Sequence, residues 1–260
     1  MDWTEVYTVD QTVLPATGYA VSDSEALNAA PTIQGLLADS KGVEEVRKSL
    51  ESITRTEFDR TRLEEVLNSE SESEAWRVGE ALAEYHLTSQ CFCFFPWPSG
   101  RDLKNPGTSS GGVDLIGFEI RESGETALAL AEVKTSKQEK SPPDLMQGRH
   151  GMKGQLEGLR SGDNRKLWAI KYLSMHAQGK AWFQTFQKSM VRYFADPTDI
   201  RLYGTLVRTV SPNVADLRAR ARSLAMDCPS NTKITLAAIY VTPQGMDVLA
   251  GAQVTWETSP

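Results

Sequence analysis

Apolar positions change their period along this chain, and the changes mark its elements. Between Met1 and Ser22, Val, Thr and Tyr alternate roughly with polar residues, broken at Pro15 and Gly18, which predicts one or two short strands. From about Ser24 to Thr88 the spacing turns helical. Val43, Val46, Leu50 and Ile53 recur at helical steps, and Leu63, Val66 and Leu67 repeat the pattern. The polar, acidic stretch 69–74 reads as a turn. Ser71, with Glu74 three residues on, has the form of a capping box for a third helix bearing Trp76, Ala83 and Leu87.

The character changes after residue 89. Gln90 to Phe95 is dense in Cys and Phe and predicts a buried strand, and Pro96 to Gly112 is a long loop rich in Pro, Gly and Ser. Val113–Ile120 and Thr126–Lys134 read as two strands joined by a turn over Arg121–Glu125. A helix is predicted from about Pro143 to Arg160, weakened by four glycines, and another from Asp163 to Phe194 with Gly179 as its candidate break. A strand over Ile200–Val210 and a helix over Val214–Met226 follow. Lys233–Val241 and Met246–Trp256 read as a closing pair of strands.

Length and composition fit a folded domain. The 260 residues suffice for one large domain or a core with a helical extension, and 40% are apolar. No run of about 18 apolar residues predicts a membrane span. The first residues carry no basic segment leading into an apolar run, so no secretion signal is expected. Three cysteines argue against a disulfide framework and fit a reducing cytoplasm. Cys91, Cys93 and Cys228 match no common zinc spacing and read as inert thiols.

Charge divides the chain. Residues 1–90 hold 7 Lys and Arg against 18 Asp and Glu, while residues 91–260 hold 21 against 16. The net charge of −6 therefore conceals a mildly basic C-terminal part that is able to face a polyanion. The expected organisation is an acidic, mainly helical segment over 1–71 and a core over 72–260.

The strongest chemical signal lies in Leu128-Ala129-Leu130-Ala131-Glu132-Val133-Lys134. Such an apolar run implies a strand covered on both faces, and Glu132 and Lys134 share one side of it. Burying either charge alone costs several kcal/mol, so each needs a partner. A metal ion for the glutamate is one answer; a plain Glu–Lys ion pair is another. Asp114, in Gly111-Gly112-Val113-Asp114-Leu115-Ile116-Gly117-Phe118, bears on the choice. If the two strands form a hairpin turning near Ser123, Asp114 faces Glu132. Like charges placed opposite each other are destabilising unless a cation lies between them. Hard carboxylate oxygens suit Mg²⁺ or Mn²⁺.

Asp114 followed by Glu132-Val133-Lys134 on adjacent strands, with a helix after them, resembles the PD-(D/E)xK nuclease superfamily. The resemblance implies an α/β, restriction-endonuclease-like core, a central mixed sheet flanked by helices. It implies that the acids bind metal and that the lysine orients or activates the attacking water. The proline usual before the aspartate is replaced by Val113. Members commonly supply another acid from a preceding helix, here Glu80 rather than Glu84, and often a polar residue from the following helix, here Gln155. Lys104, Lys137, Lys140, Arg149 and Lys153 flank the site in sequence as candidate contacts to DNA phosphates. Trp97 is a minor candidate for stacking on a base.

The Gly-Val-Asp-Leu-Ile-Gly-Phe and Ala-Glu-Val-Lys-Thr-Ser segments further resemble HamA-type nucleases of the Hachiman antiphage defence system, which implies a helicase partner. The likeness is concentrated in residues 72–160. Two rival readings share the fold: an inactive binding or assembly subunit, and an RNA-cleaving enzyme.

Overall fold

The computed structural model describes residues 1–9, 14–67, 75–96 and 112–252, without the side chains of 40–43, 45 and 46. Its frame is an α/β arrangement around one mixed sheet of seven strands. These are β1 (Thr4–Thr8), β2 (Ala16–Val21), β3 (Cys93–Phe94), β4 (Leu115–Ile120), β5 (Thr126–Ser136), β6 (Ile200–Arg208) and β7 (Lys233–Val241), in the order β1-β2-β7-β6-β5-β4-β3. The strands β2, β7, β6 and β5 run parallel, while β1, β4 and β3 pair antiparallel at the two ends. The central parallel strands are apolar on both sides, and every residue of β6 is buried, because helices cover both faces.

On one face lie α1 (Asp23–Ala38), α4 (Ala75–Gln90) and α9 (Pro243–Leu249), packed on Val21, Val207, Ile239 and Val241. Ala83 and Leu87 of α4 continue that layer onto Ala129, Ala131 and Val133 of β5. On the other face lie α5 (Met152–Ser161), α6 (Asn164–Ala177), α7 (Phe183–Ala195) and α8 (Ala215–Ala225), packed on Leu128, Leu130, Leu202, Leu206 and Leu236. Helices α2 (Ser40–Glu51) and α3 (Glu57–Leu67) pack on each other. The acidic first third is thus built into the main sheet: β2 lies beside β7, and α1 packs on α4 and α9.

Three sequence expectations are corrected here. Met246–Trp256 is not the predicted strand as far as it is described. Thr242 caps a helix there by accepting from the Gly245 N–H at 2.8 Å, and Pro243 in the first turn suits a helix start. Gln90 belongs to α4, and only Cys93 and Phe94 pair as an edge strand, leaving Phe92 and Phe94 exposed. The helix expected from Pro143 to Arg160 reduces to a single turn at Asp144–Met146 and then α5, because the backbone leaves the helix at the extended Gln147 and turns back through Gly148 in the left-handed region (φ +74°). The break at Gly179 is present, with α6 and α7 on either side of it. The Ser71 capping box and Trp97 lie outside the described residues.

Among the described residues, no helix is long and apolar enough to cross a membrane.

Candidate active site

The turn over Arg121–Glu125, closed by the Arg121 N–H donating to the Glu125 carbonyl, sets the register of β4 on β5. Leu115 pairs with Ala131, so one further step along this register brings Asp114 opposite Glu132. Asp114 stands just before β4. Its Oδ2 accepts the backbone N–H of Val133 at 2.7 Å, so its carboxylate takes the place of a ladder carbonyl where the pairing ends. That bond fixes an acid beside Glu132.

Glu132 and Lys134 point to the α5–α6 face, opposite the face that carries Ala131 and Val133. Glu132 is fully buried, and Lys134 is half-buried. Beside Glu132 in the sheet stands Gly204, whose missing side chain leaves room filled by Met152 and Leu156 of α5.

The first residue of α6's opening turn to reach the site is Arg165. Its Nη1 donates to Glu132 Oε1 at 3.0 Å, and its Nη2 donates to the Gln155 carbonyl at 2.8 Å. Asp163, the N-cap of α6, holds the guanidinium from the side at 2.9 Å. Glu132 Oε2, although buried, makes no hydrogen bond, and neither does the buried Oε1 of Gln155. Burial, reinforced by the Asp114 charge, pushes the Glu132 carboxyl up to about 8, against the opposing pull of Lys134 and Arg165.

Compared with known proteins, the chain matches no family model and no curated sequence. Its site therefore rests on its own chemistry.

The structure brings Asp114, Glu132 and Lys134 together; Gln155 joins them through its backbone carbonyl, which Arg165 binds, and its side-chain oxygen has no hydrogen bond. Glu80 is buried on α4, next to Gly79, where the helix comes so close to β5 that a Cβ on Gly79 would collide with the Thr135 hydroxyl. That contact lies on the face of β5 opposite Glu132, and the charges acting on Glu132 come from Asp114, Lys134 and Arg165. Lys137 is exposed just beyond β5, and Arg149 is exposed ahead of α5. Lys140 and Lys153 pair with Asp144 at 2.6 Å and Glu157 at 2.7 Å, four residues along. The exposed Lys140 pair is weak and open to competition from a phosphate, while the Lys153 pair is half-buried. Lys104 lies outside the described residues.

Arg165 escaped the sequence reading. It sits one residue after an ordinary helix start, and nothing local marks it as the cation for an acid 33 positions away. The thiols are free, and burial raises those of Cys91 and Cys93 above the ordinary range. Among the described residues no three His, Cys, Asp or Glu side chains are gathered as a metal cage.

The donor set nevertheless fits a hard divalent cation. Two carboxyl groups stand side by side at a place where ionising both is unfavourable without a cation, and the buried Oε2 of Glu132 and Oε1 of Gln155 are left without hydrogen bonds.

Proposed function

We propose that this chain is a metal-dependent endonuclease of the PD-(D/E)xK kind, with a restriction-endonuclease-like core, that hydrolyses DNA phosphodiester bonds. The observation that carries the reading is the opposed pair Asp114 and Glu132, with Lys134 two positions along the same strand face and the Glu132 Oε2 buried without a hydrogen bond.

In this reading Asp114 and Glu132 hold Mg²⁺ or Mn²⁺, with the Gln155 amide oxygen as an accessory donor, while Glu80, expected as a further ligand, stands on α4 across the sheet and takes no part. When bound, such an ion lowers the pKa of water and stabilises charge developing at phosphate. Lys134 supplies a cationic donor to a phosphate oxygen from the half-exposed end of the same strand face. Arg165 holds one Glu132 oxygen in place and so orients the other. The Val133 N–H does the same for Asp114. Lys137, Lys140, Arg149 and Lys153 serve as backbone contacts to the DNA. The likeness of the Asp114 and Glu132 segments to HamA-type nucleases extends the proposal to bacterial antiphage defence in the cytoplasm, with a helicase partner that delivers DNA.

One observation favours a second reading. The Arg165–Glu132 bond satisfies a buried charge without any metal, as expected of an inactive binding or assembly subunit that keeps the fold.

Incubation of supercoiled DNA with the full chain and Mg²⁺ or Mn²⁺ separates the two. The nuclease reading expects metal-dependent cleavage that Glu132→Gln and Lys134→Ala each lower by roughly a hundredfold or more, with the far-UV spectrum and unfolding midpoint retained. Absence of cleavage with either ion, together with no metal-induced stabilisation, selects the inactive subunit.

A further inference from the structure

Helix α6 carries more than Arg165. Trp168, Tyr172 and His176 follow Arg165 at steps of three and four and share its stripe of the helix. Trp168 stacks on Tyr172, with ring centroids 4.8 Å apart and planes at 23°. Tyr172 meets His176 edge-on at 4.7 Å. The stripe begins at the guanidinium bonded to Glu132.

Trp168 also reaches toward the other acid. A Cβ built on Gly112, two residues before Asp114, would lie 3.5 Å from the six-membered ring of this indole. Trp168 is 48% exposed. Its ring is braced on one side by Tyr172 and lies against Gly112, two residues from Asp114.

The charge along these helices is basic, with Arg165 and Arg192 bonded to Glu132 and Asp199, and Lys166 buried. From Asn164 to Ala195, helices α6 and α7 and their connection hold six cations and no acid. Lys171 and Lys188 among them are exposed. Cations interleaved with an open aromatic ring are the combination that tracks a nucleic-acid strand.

We propose that the open face of Trp168 is a stacking platform for an unpaired base, so that the site takes a single strand of DNA rather than an intact duplex. In a duplex each base already stacks on its neighbours, and only an unpaired base offers a free face to the indole. The phosphates flanking the stacked base meet the exposed Lys171 and Lys188, and the strand runs from Trp168 past Gly112 toward Asp114 and Glu132. The direction of the strand rests on the nuclease reading; the platform itself does not.

The test is a binding measurement on the full chain in EDTA, where cleavage plays no part. Fluorescence anisotropy would follow a labelled single-stranded DNA oligonucleotide, its duplex, and the RNA of the same sequence. Trp168→Ala is expected to weaken single-stranded DNA binding roughly tenfold while changing duplex binding less than about twofold, and Trp168→Phe to keep most of the affinity. Circular dichroism confirms that both variants are folded, and the phenylalanine variant preserves the ring if the alanine variant does not fold. The proposal is overturned if Trp168→Ala binds the single strand as tightly as the parent, if single strand and duplex weaken equally, or if only the RNA is bound. Loss of strand binding on Trp168→Ala in a chain that never cleaves DNA would remove the nuclease reading and leave the platform standing.

Discussion

Replacing Glu132 by glutamine tests the electrostatics of the site most directly. The side chain is fully buried, and its carboxyl is raised from the ordinary 4.5 to about 8, first by burial and then by the Asp114 charge. Between those two values the native state keeps a proton that the unfolded chain has released. The sign follows: stability is highest below pH 4.5 and declines as pH rises through 8, by about 1.4 kcal/mol per pH unit. The full loss comes to about 5 kcal/mol at alkaline pH. Glutamine has the shape of the protonated acid, and its amide oxygen still accepts from Arg165. Glu132→Gln should therefore match the parent within about 1 kcal/mol near pH 5 and exceed it by about 3–5 kcal/mol near pH 8.5.

Urea unfolding followed by circular dichroism from pH 5 to 9, without divalent ions, measures the difference. All other titrating groups are common to both chains, so the gap between the two curves reports Glu132 together with Asp114, whose charge acts on it. Parallel curves would refute the reasoning, because Glu132 would then ionise alike in both states. Adding Mg²⁺ should narrow the gap at high pH, since a cation that binds the ionised acid stabilises only the parent. At a hundred times its dissociation constant the ion contributes about 2.7 kcal/mol.

Two further predictions concern the frame that holds the site. Arg208 and Asp216 form a fully buried pair at 2.9 Å, and Arg208 also donates to the carbonyls of Gln138 and Lys140 beyond β5. Arg208→Met should cost about 3–5 kcal/mol in urea unfolding by leaving Asp216 uncompensated, and Asp216→Asn in the same chain should restore part of it; a loss below about 1 kcal/mol would contradict the pair's role. Thr242→Ala removes the side-chain cap of α9 and should lower stability by about 1 kcal/mol in the same assay, whereas an unchanged midpoint would count against that cap.

Much of the central architecture was legible because its determinants are local. The turn between Arg121 and Glu125 lets the register be counted from the sequence, and one slipped residue would have sent Glu132 to the opposite face. The apolar run of β6 and the glycine between α6 and α7 were equally plain. Misreadings fell where short apolar stretches suit either period. Met246, Val248 and Leu249 fit a strand or a helix, and the deciding Thr242-Pro243 start lies outside the stretch itself. Long-range pairing left no trace at all. Nothing in residues 16–21 announces β7 as their neighbour, and nothing at Arg165 announces Glu132.

Arg165 bears on whether the buried charges are a structural device or a site. A pair retained for stability alone would be satisfied at both carboxylate oxygens, because an unmet buried oxygen costs about 1–3 kcal/mol. Here the guanidinium is divided among Asp163, the Gln155 carbonyl and one oxygen of Glu132. The second oxygen of Glu132 has no hydrogen bond, and neither does the amide oxygen of Gln155. Asp114, held by the Val133 N–H, brings a further negative charge against a carboxyl that burial already disfavours. An apolar residue at 132 would remove all of these costs, since volume-matched hydrophobic replacements of buried charges are often neutral or stabilising. An arrangement that sacrifices stability on three counts at one point, beside a half-exposed lysine and an open indole, has the energetic profile of a functional site.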